Sequence, residues 1–467
     1  MRRHVAVIDI GKTNAKVVLV DLASLSEVAV QRTPNRVLTD GPYPHFDHEH
    51  LWRFIIDSLR VLNRERPIEA ISVTAHGATA ALLDANGTLA LPILDYEHDG
   101  PDTSTAAYEA VRPPFAETGS PRLPGGLNLG RQLFWQARTC PQAFADARTI
   151  LTYPQYWSFR LSGTAAAEVT SLGCHTDLWN PEQRDYSTLV DRMDWRRLMP
   201  PLRRASDPLA TITAEVAEAT GIARHCPVLC GIHDSNASLL PHLLARQPPF
   251  TVVSTGTWVI SMAVGGRRVA LDEGRDTLTN VDAFGDAVPS ARFMGGREFA
   301  LTRGEAAADP TEADLARIIE RQTMLLPALQ AGNGPYPDSK GRWIGDLEKL
   351  TPGERTAAFS AYLGLMAATC LSLIGADGPT LLEGPLAGDR VFARILADVT
   401  ARLVIAGPRR TTGTSLGAAL LADLSLRPSL EGNVFRATGE IADTAIAAYA
   451  AQWSAAIADG LPEMPLS

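Results

Sequence analysis

The sequence predicts an α/β protein of two domains, and three features carry that prediction. Apolar β-rich runs alternate with amphipathic helical runs along the chain, the pattern of strands covered by helices. With 467 residues the chain can build two full cores. The run VAVIDIGKTNAKVVLV from Val5 also returns in form as TVVSTGTWVISMAV from Thr251, about 245 residues later. Each run is a strand, a turn holding Gly and Thr, and a second strand, so the pair reads as a duplicated fold. If the halves face one another, the two turns would grip a phosphate chain from opposite sides, with glycine admitting close backbone approach.

The first hairpin has to be separated from a P-loop, because it spells Gly11-Lys12-Thr13. A P-loop reads G-x-x-x-x-G-K-[ST] and opens a helix. Ala6 stands where the first glycine is required, and Ala15, Val17 and Leu19 alternate with Lys16, Val18 and Val20 at the period of a strand. The turn therefore belongs to a hairpin, with Asp9 ending its first strand and Gly11, Lys12, Thr13 and Asn14 within the turn. Such a turn can offer amides and a carboxylate to a metal-bound phosphate, and an ordinary N-terminal hairpin shares the same pattern.

Asp47 then caps a helix over 48–63, with Leu51, Phe54, Ile55, Leu59 and Leu62 on one face. His45, His48 and His50 fall at its start without sharing a face, which favours a solvated helix end over a metal site. Strands are expected over 68–74, 79–83 and 88–94, the last two around Asp84-Ala85-Asn86-Gly87, while Ala75-His76-Gly77 leaves the first. The Pro- and Gly-rich stretch 101–130 reads as a long connection able to form a flap over a substrate site.

At PVLCGIHDSNAS (227–238) a strand delivers His233 and Asp234 to its C-terminal edge just before a helix, the place where α/β sheets gather ligands. Asp234 suits a general base or a helix N-cap, and His233 suits a substrate contact or a loop carbonyl. A composition break follows, which places the domains at 1–242 and 243–455.

Within the second domain, the apolar run 357–376 carries Ser360, Tyr362, Thr369 and Ser372, the mark of a buried helix rather than a membrane span. LLEGPLAGDRVFARILADVT (381–400) is a strand, a Gly/Pro turn and a helix with Val391, Ile395 and Leu396 inward. That order fits either a nucleotide-binding turn or a routine βα turn. Gly413-Thr414-Ser415-Leu416-Gly417 matches the nucleophile elbow G-x-S-x-G, whose histidine must lie downstream. All ten histidines lie at or before His242, so Ser415 has no base and the glycines are assigned to close helix packing.

Bulk properties exclude several classes. A net charge of −9 without a run of five like charges argues against nucleic acid or an anionic membrane as partner. Five scattered cysteines fit a reducing compartment, and Cys226 and Cys230 of CPVLC read as buried thiols rather than a metal pair. The short apolar stretch after Arg3 is broken by Asp9 and reads as no secretory signal, so the expected location is cytoplasmic.

Taken in order, DIGKTNAK, TAHGATAALLDANG, GIHDSNAS, STGTW, EGPLAGDRVFARILADVT and TSLGAA resemble the FGGY carbohydrate kinases, of the superfamily with hexokinase, actin and the heat-shock chaperone ATPases. The resemblance spans almost the whole chain. It implies two ribonuclease-H-like (actin-like ATPase) domains, each a mixed five-stranded sheet flanked by helices, with ATP and sugar in the inter-domain cleft. It further implies phosphate-loop roles for Gly11, Lys12, Thr13, Asn14 and Lys16, and for Gly256 and Thr257 within Ser254–Trp258. Gly384, Leu386 and Ala387 fall on the adenosine motif, Asp9 and Asp234 on the Mg²⁺ carboxylates, and Asp234 on the catalytic base.

Ala75, His76 and Gly77 resemble the Met-His-Gly that xylulokinases set against the sugar, and His233-Asp234 resembles the His-Asp of rhamnulokinases. Asp95-Tyr96-Glu97-His98 replaces the Trp-Asn-Asp of well-known members, with Asp95 and Glu97 at the sugar. Glu383-Gly384-Pro385 replaces three glycines, and ARFMGGREF (291–299) lacks an Asn seen in rhamnulokinases. The expected activity is ATP-dependent phosphorylation of a small sugar, with rhamnulose, fuculose and xylulose as leading ketoses and a homodimer as the family expectation. The alternatives are a superfamily ATPase without sugar kinase activity and a non-catalytic sugar-binding regulator.

Overall fold

The computed structural model describes residues 2–302, 308–330, 332–407, 413–429, 432–437 and 441–458. The chain forms two compact units. The first is Met1–Ala245 with Thr279–Ala287 and Thr412–Pro428; the second is Arg246–Leu278 with Val288–Thr411 and Ser429–Ser467. The first unit's main segment ends at Ala245, and Gly413–Pro428 belongs to the same unit.

In the first unit β1 (His4–Ile10) pairs antiparallel with β2 (Asn14–Asp21), and β2 pairs antiparallel with β3 (Ser26–Pro34). The other edge of β1 pairs in parallel with β4 (Ala70–Ala75). Beyond β4 lie β5 (Pro208–Thr211), β6 (Pro227–Leu229) and β7 (Ile232–His233), with β6 and β7 both parallel to β4. The sheet therefore has seven strands where the resemblance implies five. The excess comes from edge strand β5 and from one strand line broken into β6 and β7 at Cys230-Gly231.

Alternation sorts the side chains of β1 between two cores. Ala6, Ile8 and Ile10 join Leu51, Ile55 and Leu59 of α1 (His48–Glu65). Val5 and Val7 join Ala237 and Leu240 of α2 (Asp234–Ala245). Asp47 does cap α1, accepting the His50 N–H at 2.9 Å.

The second unit repeats the arrangement. β8 (Phe250–Thr255) pairs antiparallel with β9 (Val259–Val264) through a three-residue turn and in parallel with β12 (Thr380–Glu383). Around this centre lie β10 (Thr277–Val281), β11 (Ala287–Phe293), β13 (Val404–Ala406) and β14 (Asn433–Phe435), in the sheet order β10-β11-β9-β8-β12-β13-β14. Its core is the apolar stretch expected to be buried, here α3 (Pro352–Leu373), started by a capping box between Thr351 and Glu354. Ile395 and Leu396 of α4 (Arg390–Thr400) pack in the same cluster.

One expectation fails for a physical reason. Residues 88–94 form no strand, since Pro92 interrupts the run and cannot donate to a ladder. Ala80–Leu83 pairs instead with Thr149–Thr152, leaving one bridge from Leu83 to Leu89. The stretch 101–130 holds short helices, including Thr105–Glu109 and Phe115–Thr118, pinned by a buried ion pair of Arg112 with Asp177 at 3.1 Å. The Tyr108 hydroxyl donates to the same carboxylate at 2.8 Å.

Ser415 of α5 (Gly413–Leu420) is fully buried, which removes it as an exposed nucleophile. A side chain on Gly417 would stand 1.7 Å from the Ala237 carbonyl oxygen of α2, so its glycine serves close helix packing.

Candidate active site

Sheet register brings the first group of candidates to one edge. Asp9 lies level with Thr74, and Thr74 with Ile232; one step on, Ile10, Ala75 and His233 are level. Neighbouring strands are about 4.8 Å apart, so Asp9, His76, His233 and Asp234 gather where β1, β4 and β7 end. The bend that aims β7 depends on Gly231 (φ +90°), where a Cβ would meet the Val73 carbonyl oxygen at 2.7 Å. Two buried side chains hold it: Gln155 donates to the carbonyls of Cys230 and Gly231 at 3.2 and 3.1 Å, and Ser158 to Cys230 at 3.1 Å.

Asp234 opens α2 without capping its next turn in the usual way; its Oδ1 accepts the N–H of Ser235 at 2.6 Å. His233 Nε2 stands 3.1 Å from that same oxygen. Burial raises the Asp234 pKa to about 6 and lowers that of His233 to about 4, so near pH 7 the histidine is neutral beside an ionised carboxylate. Behind them Thr170 Oγ1 accepts the His233 N–H at 3.0 Å and donates to buried Glu168 at 2.6 Å. Glu168 also receives the N–H groups of Thr170 and Ser171 at 2.9 and 3.1 Å.

Asp9 meets Lys16, its direct cross-strand partner, at 3.2 Å. Burial raises Asp9 to about 6 against the pull of Lys16, and the charge of Asp234 pushes in the same direction as burial. Asp9 and the more open Asp234, 14% and 34% exposed, are oxygen donors suited to Mg²⁺, which commonly takes one or two carboxylates and completes its shell with water and phosphate. Among the described residues no group of three or more His, Cys, Asp or Glu could hold a metal, so Asp9 and Asp234 fit only such a sparse site. In the turn, Gly11 N–H donates to the Asn14 carbonyl at 2.9 Å, and Asn35 braces it by donating to the Gly11 carbonyl at 2.9 Å.

His76 is buried among aromatic rings, 5.7 Å from Phe46, 5.0 Å from Tyr96 and 4.9 Å from Tyr153 between centroids. Neither of its ring nitrogens has a hydrogen-bond partner. Burial, followed by His233 and Lys12, drives its pKa to about 3. Gly77 beside it is hemmed in: a Cβ there would lie 2.5 Å from Cys174 Sγ and 3.0 Å from His233 Cδ2. The Lys12 ammonium is ion-paired with Asp95 and lies 3.3 Å from Glu97.

In the second unit, Thr255 ties the turn after β8 to the segment after β12. Its hydroxyl donates to the Glu383 carbonyl at 2.6 Å and accepts the Leu386 N–H at 3.0 Å. Gly384 has φ +83°, and a Cβ there would fall 2.1 Å from the Thr255 carbonyl oxygen. This position alone demands glycine: Glu383 ends a strand, and Pro385 suits the first turn of the helical segment Pro385–Gly388 containing Leu386 and Ala387. Gly256 N–H donates to the Trp258 carbonyl at 2.9 Å, and Thr257 accepts the N–H of Arg297 at 3.2 Å. Gly296 makes the approach possible, since a Cβ would sit 1.7 Å from the Gly256 carbonyl oxygen.

Residues 4–241 match the FGGY family of carbohydrate kinases, N-terminal domain, and residues 247–429 match the carbohydrate kinase FGGY C-terminal domain. The crystal structure of a carbohydrate kinase from Novosphingobium aromaticivorans superposes with a TM-score of 0.89 at 38% identity, covering 98% of this chain and 99% of that one. A xylulose kinase from Rhodospirillum rubrum gives 0.79 at 21% identity, with 98% of both chains covered, a likeness of fold. Among curated proteins, an L-fuculokinase of Salmonella typhi is 24% identical over 274 residues, 56% of this chain and 57% of that protein. A rhamnulokinase of Bacteroides thetaiotaomicron is 25% identical over 273 residues, 55% of this chain and 54% of that protein. The chain thus spans about half the length of the curated relatives it matches.

Proposed function

Because this chain belongs to the FGGY family of carbohydrate kinases, we propose that it transfers the γ-phosphoryl group of ATP to a hydroxyl of a small ketose such as rhamnulose, fuculose or xylulose. The observation that supports this most is the pairing of Asp234, its pKa raised to about 6, with neutral His233 at the edge that also carries Asp9. A carboxylate so tuned is ionised at pH 7 yet basic enough to take a proton.

In this reading the sugar oxygen bonds to the γ-phosphorus as the bond to the bridging oxygen of ADP breaks, and the hydroxyl proton passes to Asp234. A general base of this kind contributes about 10²- to 10⁴-fold in rate. His76, neutral near pH 7, orients a neighbouring hydroxyl, for which its unpartnered nitrogens call, while neutral His233 holds Asp234 in place. Asp9 and Asp234 would hold Mg²⁺, which when bound neutralises phosphate charge. The turns Gly11–Asn14 and Ser254–Trp258 each offer backbone N–H groups to phosphate oxygens, and Gly384 to Ala387 admits the adenosine.

The test is sugar-dependent ADP release across ketoses, aldoses and polyols, with Asp234→Asn compared at equal folded content. Loss of at least about a hundredfold in kcat is expected. A variant keeping most of the wild-type rate overturns the base assignment. ADP release indifferent to every sugar favours an ATPase, and ATP binding without turnover favours a regulator.

A further inference from the structure

The ammonium of Lys12 is committed to the sugar side of the site. It is ion-paired with Asp95, lies 3.3 Å from Glu97 Oε2, and sits 5.2 Å from the ring centroids of both Phe46 and Tyr96. Those two rings also flank His76. Its partner is fixed: Asp95 N–H donates to the Pro44 carbonyl at 2.9 Å, and Asp95 Oδ1 accepts the Glu97 N–H at 3.1 Å. Both side chains are largely shielded, with 17% of Lys12 and 10% of Asp95 exposed.

We propose that Lys12 is a specificity-determining residue of the sugar pocket, reading one hydroxyl of an uncharged sugar together with Asp95 and excluding sugar acids. This rests on the kinase reading above.

The reasoning is chemical. The ammonium donates one proton to Asp95, is paired by charge with Glu97, and keeps a further proton to donate. A hydroxyl meeting the pair can accept that proton while donating its own to the carboxylate, a double demand met by a hydroxyl but not by a carboxylate. The field points the same way. Lys12 is outnumbered by its two neighbours Asp95 and Glu97, whose charges both bear on the phenol of Tyr96. An anionic sugar would enter against Asp95, only 10% exposed, with Glu97 adding like charge from a more open position at 65% exposed.

Lys12→Met and Asp95→Asn are compared with wild type for steady-state kinetics and for calorimetric binding of D-xylulose, L-fuculose, L-rhamnulose and D-gluconate, after thermal melts establish folding. Wild type should bind a neutral ketose and reject gluconate. Lys12→Met should raise KM for the ketose by about tenfold or more, the worth of one charged hydrogen bond, with KM for ATP changed less than about twofold. Asp95→Asn leaves Lys12 with less compensation and should narrow the preference for ketose over gluconate by about tenfold. A rise in KM for ATP with ketose binding unchanged returns Lys12 to the phosphate loop and overturns the proposal, as does wild-type preference for gluconate. Absence of any sugar-dependent turnover sinks the kinase reading instead, and the calorimetric arm still decides whether Lys12 governs sugar binding.

Discussion

His233 Nε2 stands 3.1 Å from Asp234 Oδ1, while on the other side of the ring Nδ1 faces the Asn236 amide nitrogen at 3.2 Å. With Asp234 ionised, Nε2 must carry the proton, and Nδ1 then accepts from Asn236. The asparagine therefore sets the tautomer that faces Asp234.

Activity and stability should respond to pH in opposite directions. Asp234 must be ionised to accept a proton, so kcat/KM should fall about tenfold per pH unit below about pH 6. Burial raises the folded-state pKa of Asp234, and of Asp9, above the ordinary carboxylate value. Their favourable contribution is therefore complete below that ordinary value and is lost as pH rises through about 6. A pH–rate profile beside thermal melts from pH 4.5 to 8 checks both; a flat rate below pH 6 would remove Asp234 as the base.

Glu168 acts through Thr170, which meets both the Glu168 carboxylate and the His233 backbone. Glu168→Gln places an amide among four donors and should cost about 1–3 kcal/mol, while lowering kcat more than it raises KM for sugar. Glu168 has a pKa pushed by burial to about 7, so its stabilising contribution is lost as pH rises through that value. The difference in melting temperature between wild type and variant should accordingly shrink from pH 5 to pH 8.5. A constant difference would mean that Glu168 does not titrate in the fold.

The two hairpins and Asp234 are legible in sequence because alternation, a glycine turn and a strand-to-helix junction are local signals. The support around them is not. Gln155 acts on backbone 75 and 76 residues away in the chain, Glu168 acts through Thr170, itself 63 residues from His233, and neither carries a motif. Lys12 was legible as a turn residue, but the direction of its side chain depends on Asp95, 83 residues on. Residues 88–94 show the opposite failure: their apolar pattern reports burial of Leu91, Ile93 and Leu94 correctly, while Pro92 denies them a ladder.

Gly77→Ala should disturb the sugar side without touching ATP. The new methyl would press on Cys174 Sγ at 2.5 Å and on the His233 ring at 3.0–3.1 Å, tilting the histidine that holds Asp234. A displacement of this kind costs up to about a hundredfold in kcat/KM for sugar. Adding Cys174→Ala removes the harder clash and should restore part of the rate. If Gly77→Ala is fully active, His233 does not position the base.

Gly384→Ala tests the second unit by the same logic. The residue adopts φ +83°, which disfavours alanine, and its Cβ would meet the Thr255 carbonyl oxygen at 2.1 Å and Oγ1 at 2.9 Å. The backbone must shift, and with it the Thr255 bridge to Glu383 and Leu386. Thr255→Val breaks that bridge by another route, leaving the Leu386 N–H without its acceptor at a cost of about 1–3 kcal/mol. Both variants should raise KM for ATP by about tenfold or more while calorimetric sugar binding stays within about twofold of wild type. Since the two substitutions act on opposite partners of one contact, their effects should be less than additive when combined. Full additivity would show that Thr255 and Gly384 serve the nucleotide separately, and that Glu383-Gly384-Pro385 owes its single glycine to something other than Thr255.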